Sequence, residues 1–229
     1  MSVLSTPVSI AYHLVTGLAG VLHPFAGSLA TAAAIVVFTA LVRLCLVPFA
    51  VSQARGERSR AKLLPQMQAI QKKHAKNPQR LQREMAALYE KEGTPLAGCL
   101  PALLQWPFFF VMYRLFISAT IAGHQNALLA HTLLAAPLGQ NWISTLGTGI
   151  LSPASLVFLG LFALLALVAY VSSRRIKAEG PIGNLTKLLP FTTLVMAAFV
   201  PLAAAVYLLT TTTWTAIERG VLQRRIVTA

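Results

Sequence analysis

Hydrophobic positions in this chain come in long unbroken blocks rather than in the short alternating runs of a soluble fold. Ser28 to about Ala50 is the first such block, long enough at 1.5 Å per residue to cross about 30 Å of hydrocarbon. Further blocks run over 100–119 and 153–172, and a longer one over 188–217 is divided by Pro201. The pattern predicts an all-α integral membrane protein with five transmembrane helices, at about 28–50, 100–119, 153–172, 188–200 and 202–217. Ahead of them, residues 1–27 predict an amphipathic helix lying in the membrane interface. Ser9, His13, Thr16, Gly20 and His23 share one face of it, and Thr6 and Pro7 suit its start.

Between the first two blocks lies a polar stretch that predicts a helical hairpin over 55–92. Leu63, Leu64, Met67 and Ile70 recur at helical spacing, Asn77-Pro78 supplies a stop and a new start, and Leu81, Met85 and Leu88 repeat the pattern. Each arm has one thin apolar stripe, so the pair predicts a weakly docked element. Glu84, Glu90 and Glu92 interrupt its basic surface and are candidate contacts for basic segments of a partner.

Charge fixes the expected orientation. The chain carries 19 Lys and Arg against 6 Asp and Glu. No Lys or Arg precedes Arg43, ten lie between Arg55 and Lys91, and only Arg114 occurs between there and Arg174. Clustering between apolar blocks is what positive-inside topology produces. It places the hairpin and the C-terminus in the cytoplasm, the N-terminus outside, and the uncharged stretch 121–152 in an outer loop. The same clustering argues against DNA as the partner. Composition agrees with a bilayer as solvent, at 56% hydrophobic and 11% charged residues. The N-terminus has neither a basic leader nor a transit pattern, which makes a bacterial plasma membrane the expected location.

The chemistry-bearing residues are few. Arg43 lies well inside the first block, where a charge costs about 2.5 kcal/mol or more. Either it faces a water-filled cavity open to the cytoplasm, or its long side chain snorkels to the inner headgroups. The predicted spans contain no Asp or Glu to pair with it. Gln105 near Pro107, then Tyr207, Thr211, Thr212 and Thr215 in the last block, are candidate polar walls of such a cavity; the hydroxyls could instead bond back to their own helix. Cys45 and Cys99 make neither a disulfide framework nor a metal site. No nucleotide-binding, metalloprotease or hydrolase motif occurs, so neither an enzyme nor a cofactor is expected.

The run Thr94-Pro-Leu-Ala-Gly-Cys-Leu-Pro-Ala-Leu-Leu-Gln-Trp-Pro-Phe-Phe-Phe-Val-Met-Tyr113 resembles the signature of the YidC family of membrane protein insertases. Arg43, just before a Pro-ended first span, is similar to that family's intramembrane arginine. The resemblance covers about Ser28 to Arg225 and is to a short Gram-positive or actinobacterial type of member; the chain lacks the long Lys-rich tail that some members use near ribosomes. Thr94 stands where many relatives have Asn, and Tyr207-Leu208 with its threonines where relatives often have Trp and Asn. The resemblance implies a five-span core over 28–225, followed by a short tail at 226–229, around a hydrophilic groove closed outward. It implies nascent membrane proteins and lipids as partners, with the ribosome and the Sec translocon as further candidates. A small transporter or channel with an anion site at Arg43 is the alternative. That rival predicts an internal repeat, and none is visible in the sequence.

Overall fold

Helix α7 (Pro153–Arg175) shows what surrounds this protein. Ser155, Phe158, Leu161, Leu165 and Ala169 recur at helical spacing and are buried. The opposite face is equally apolar yet exposed, with Leu156, Leu164 and Leu167 each more than half accessible. A helix apolar on all sides and buried on one has lipid as its second partner. Ser152 caps it, accepting from the Ser155 N–H, and Pro153 opens it.

The structure is a computed structural model that describes residues 5–75, 77–92, 110–121, 123–147, 149–176 and 181–227. The chain divides into two compact units, Met1–Leu44 with Phe108–Ala229, and Cys45–Pro107. In order, the remaining helices are α1 (Ser5–Ala26), α2 (Ala30–Lys73), α3 (Pro78–Glu92), α4 (110–117), α5 (Ala127–Ala130), α6 (Trp142–Leu146), α8 (Pro181–Leu188), α9 (Thr192–Phe199) and α10 (Leu202–Val227).

Several boundaries differ from expectation. Helix α1 starts at Ser5 rather than after Thr6, and it does more than lie on a surface: Val8, Ala11 and Val15 enter the main core. The first span and the first hairpin arm are one helix, α2, with no break where polarity sets in. A lipid-to-water change alters which side chains are tolerated, not the backbone hydrogen bonds. Pro48 removes an N–H and so frees the Leu44 carbonyl one turn earlier, and the division between the two units falls there.

The segment read as a span over 188–200 begins earlier, at Pro181, and carries a 3-10 turn at Leu189–Phe191. Pro190 cannot donate to an α-helical bond there. The Thr192 and Thr193 hydroxyls donate instead to the carbonyls of Leu189 and Pro190, both at 2.7 Å. At Val200 and Pro201 the chain leaves the helix, and α10 follows.

In the second unit, His74 Nε2 lies 2.9 Å from Glu84 Oε1, linking the two arms. The ring N–H is not aimed along a hydrogen bond, so the contact is one of charge when His74 is protonated. Asn77 accepts from the Arg80 N–H and so caps α3.

The uncharged segment 120–152 forms a plug that packs through Ile121, Asn126, Leu128, Ala136, Leu138 and Thr145, while much of the rest stays exposed. Four short strands, absent from the sequence-based expectation, pair as β1 (Thr120–Ile121) with β2 (His124–Gln125) and β3 (Thr132–Leu133) with β4 (Ala136–Pro137), both antiparallel. Ala136 and Leu138 are fully buried, and the Leu138 and Gln140 carbonyls accept from Ala203 and Leu202, the first N–H groups of α10. Asn126 is itself buried; its side-chain amide donates to the Leu115 and Ser118 carbonyls at 2.8 and 3.0 Å, closing the end of α4. Trp142 packs on Phe158 and Phe162 of α7.

The opposite end of the bundle is tied by Arg175, which donates to the Ala216 carbonyl at 2.6 Å. Gly220 makes room for it, since a Cβ there would stand 2.7 Å from the guanidinium Nη1. Gly220→Ala is expected to leave stability within about 1 kcal/mol: better helix propensity contributes up to about 1 kcal/mol and offsets an exposed hydrogen bond of similar worth. Thermal unfolding of the purified variant checks this; a large loss would mean Arg175 has no other place to go.

Candidate functional site

The site is built on α10, whose first turn and remaining turns differ in kind. Leu202, Ala203, Ala204 and Ala205 are wholly or almost wholly buried, because small side chains let the helix sit tight beneath the plug. Tyr207 comes next, buried, with its ring 5.9 Å from that of Phe116 in α4. From there a polar stripe runs on: Tyr207, Thr211, Trp214 and Glu218 are spaced four, three and four residues apart, one face of the helix. It extends roughly 16 Å from Tyr207 to Glu218 at 1.5 Å per residue.

Arg43 of α2 belongs to the same unit. It is half-buried and within electrostatic reach of both Tyr207 and Glu218. The predicted spans hold no acidic partner for Arg43; Glu218 lies just past 217, where the last of them was expected to end, and α10, which continues to Val227, carries it round onto the stripe. The two side chains do not meet as an ion pair of 4 Å or less, so the guanidinium and the carboxylate are near but open to a third party.

Along the stripe, polar atoms are buried without completed bonds. Thr211 Oγ1, Trp214 Nε1 and Glu218 Oε1 have no hydrogen-bond partner among the described residues. Tyr207 approaches Thr211, and Trp214 approaches Glu218, closely enough to interact. Neither Thr211 Oγ1 nor Trp214 Nε1 is aligned as a hydrogen bond. Each such orphan costs about 1–3 kcal/mol if left dry, so the wall is suited to water or to the backbone of a bound chain.

The other candidates divide. Thr212 and Thr215 donate back to the carbonyls of Leu208 and Thr211, at 2.8 and 2.9 Å, as does Thr210 to Val206. Their hydroxyls are spent within α10. Gln105 lies outside the described residues, as does the run from Thr94 to Phe109. Glu84 is engaged with His74, Glu90 is exposed, and Glu92 ends α3. Trp214 and Glu218 escaped the sequence reading although their spacing from Tyr207 was visible; the assumed span end at 217 hid Glu218, and Trp214 stood unremarked among the threonines. Among the described residues no group of three or more His, Cys, Asp or Glu could hold a metal.

Residues 21–229 match the sequence profile of the family described as 60Kd inner membrane protein. Among curated relatives, a membrane protein insertase YidC of Streptomyces avermitilis is 30% identical over 207 residues, 79% of this chain and 48% of that protein. One from Oceanobacillus iheyensis is 41% identical over 106 residues, 44% of this chain and 40% of that protein. One from Clostridium perfringens is 38% identical over 87 residues, covering 38% and 37%. The chain thus spans less than half the length of these relatives.

Proposed function

Because the chain belongs to the YidC family, that of the 60Kd inner membrane protein, we propose that it is a membrane protein insertase. It receives client transmembrane segments from the cytoplasm in a hydrophilic groove and releases them sideways into lipid. The observation that carries this reading is the arrangement on α10: Thr211, Trp214 and Glu218 hold buried polar atoms without a hydrogen-bond partner among the described residues, within electrostatic reach of Arg43, on a helix that starts beneath the uncharged plug. Such a recess is wet along part of the bilayer's depth and sealed beyond it.

The physics of the task matches that shape. A client's polar tail loses several kcal/mol for each unsatisfied group in hydrocarbon. A polar recess part-way through the membrane shortens the stretch over which this holds. Arg43 attracts acidic residues of the tail, and Thr211, Trp214 and Glu218 offer hydrogen bonds to its backbone. The client's apolar helix meets lipid as it leaves, and burying it supplies the driving force without a nucleotide. In this reading the N-terminus is outside and the C-terminus cytoplasmic, across five spans. The helical hairpin is the first contact for clients, with Glu90 free to meet basic flanks.

The test is insertion of a single-span client into liposomes that contain only this protein. Protease protection of the client's tail is expected with the intact chain and is expected to fall sharply when 62–91 is replaced by a Gly/Ser linker. Chloride flux through the same liposomes without client insertion would instead establish a channel and sink the proposal.

A further inference from the structure

The polar stripe of α1 has no part in the recess at Arg43. Three of its members, Thr16, Gly20 and His23, line a separate cavity of about 300 Å³ together with Ser28 and Thr31 at the start of α2 and His131 of the plug. From the juxtaposition of two imidazoles and an unspent, buried threonine hydroxyl at the amide end of a 44-residue helix, we propose that this cavity binds a phosphate group, such as a phospholipid headgroup carries.

Thr31 is the informative residue. It is only 3% exposed, lines the cavity, and makes no hydrogen bond among the described residues. Thr39, eight residues along the same helix, shows the ordinary alternative, donating to the Ile35 carbonyl at 2.6 Å. The equivalent acceptor for Thr31 is the carbonyl of Gly27, in the turn between α1 and α2. Gly27 at φ +52° turns the chain between α1 and α2, a conformation glycine adopts without strain. A buried hydroxyl opening on a cavity without a protein acceptor is a donor held for a ligand. Thr16, by contrast, spends its hydroxyl on the Tyr12 and His13 carbonyls.

The charge pattern selects an anion. No lining residue is acidic, and 121–152 carries no Lys, Arg, Asp or Glu. The first turn of α2 presents the positive end of its dipole, and each imidazole offers an N–H. The carbonyl end of α1 opposes this, but His23 stands in that last turn, where an imidazole N–H offsets it. A metal ion is the poorer fit, because two histidines without a carboxylate or thiolate supply too few ligands. There is room as well: a Cβ added at Gly20 or Gly27 would meet nothing within 4 Å.

Phosphorus NMR on the whole protein in a phosphorus-free detergent separates the sources. The probes are a short-chain phosphatidylglycerol, the matching diacylglycerol, measured by its displacement of that lipid, and inorganic phosphate. Saturable binding of phosphatidylglycerol is expected, weakened at least fivefold by Thr31→Val and by His23→Ala with His131→Ala. Helix content and client insertion should be unchanged in both variants, so this result is independent of the insertase reading. Equal binding of inorganic phosphate keeps the phosphate site and assigns it to the free ion. Diacylglycerol competing as well as the lipid binds, or variants that bind like the intact chain, would overturn the proposal.

Discussion

Arg43→Ala is expected to lower insertion of a client with an acidic tail at least tenfold, while Arg43→Lys retains most of the activity. The reasoning starts from position. Arg43 lies thirteen residues into α2 from Ala30, roughly 20 Å along the helix, and faces a wall with unpaired polar atoms. In the proposed groove a fixed positive charge attracts a carboxylate far more than it would in water. A tenfold loss of rate needs only about 1.4 kcal/mol of that attraction. Glu218 complicates the sign, because it weakens the net field that the client meets. Glu218→Gln is therefore expected to raise insertion of acidic-tailed clients modestly and to lower that of basic-tailed ones. Client-tail charge variants in the liposome assay check both. Insensitivity of Arg43→Ala to tail charge would show that Arg43 serves the fold rather than the client.

The largest expected effect on stability comes from Phe158→Ala, a loss of about 3–5 kcal/mol. Phe158 is fully buried, with ring centroids of Trp142 and Phe162 at 5.9 and 6.3 Å. Lipid cannot fill the space from within the bundle, so the packing contacts are lost outright. Trp142 loses one of the two rings that seat it, and with it the hold on Leu138 and Gln140, whose carbonyls satisfy the start of α10. The unfolding midpoint in detergent should fall. A cysteine at Ala203, with Cys45 and Cys99 changed to Ser, should become reactive to an impermeant thiol reagent only in the Phe158→Ala background. An unchanged midpoint and a silent Ala203→Cys would mean the plug is held elsewhere.

Sequence by itself determined the solvent, the helical character and the family. Those properties depend on composition and on local periodicity, which need no knowledge of neighbours: apolar blocks of 20 residues or more, basic clusters between them, and the run from Thr94 to Tyr113. It also marked Arg43, because a lone charge in an apolar block is conspicuous wherever the block goes. What it could not decide were relations between distant segments. Whether Thr211 or Thr212 keeps a free hydroxyl depends on what stands opposite α10, and the two are adjacent in sequence. Glu218 became a neighbour of Arg43 only through the extra helical turns beyond 217. The uncharged stretch 121–152 was legible as a connection between apolar blocks but not as a plug, since its short strands and buried Asn126 are fixed by contacts with α4, α7 and α10. Thr31 shows the same limit in one residue. An ordinary threonine in an apolar helix, it is set apart by the turn at Gly27 one helical turn before it, and only the tertiary structure brings His131 to the same cavity.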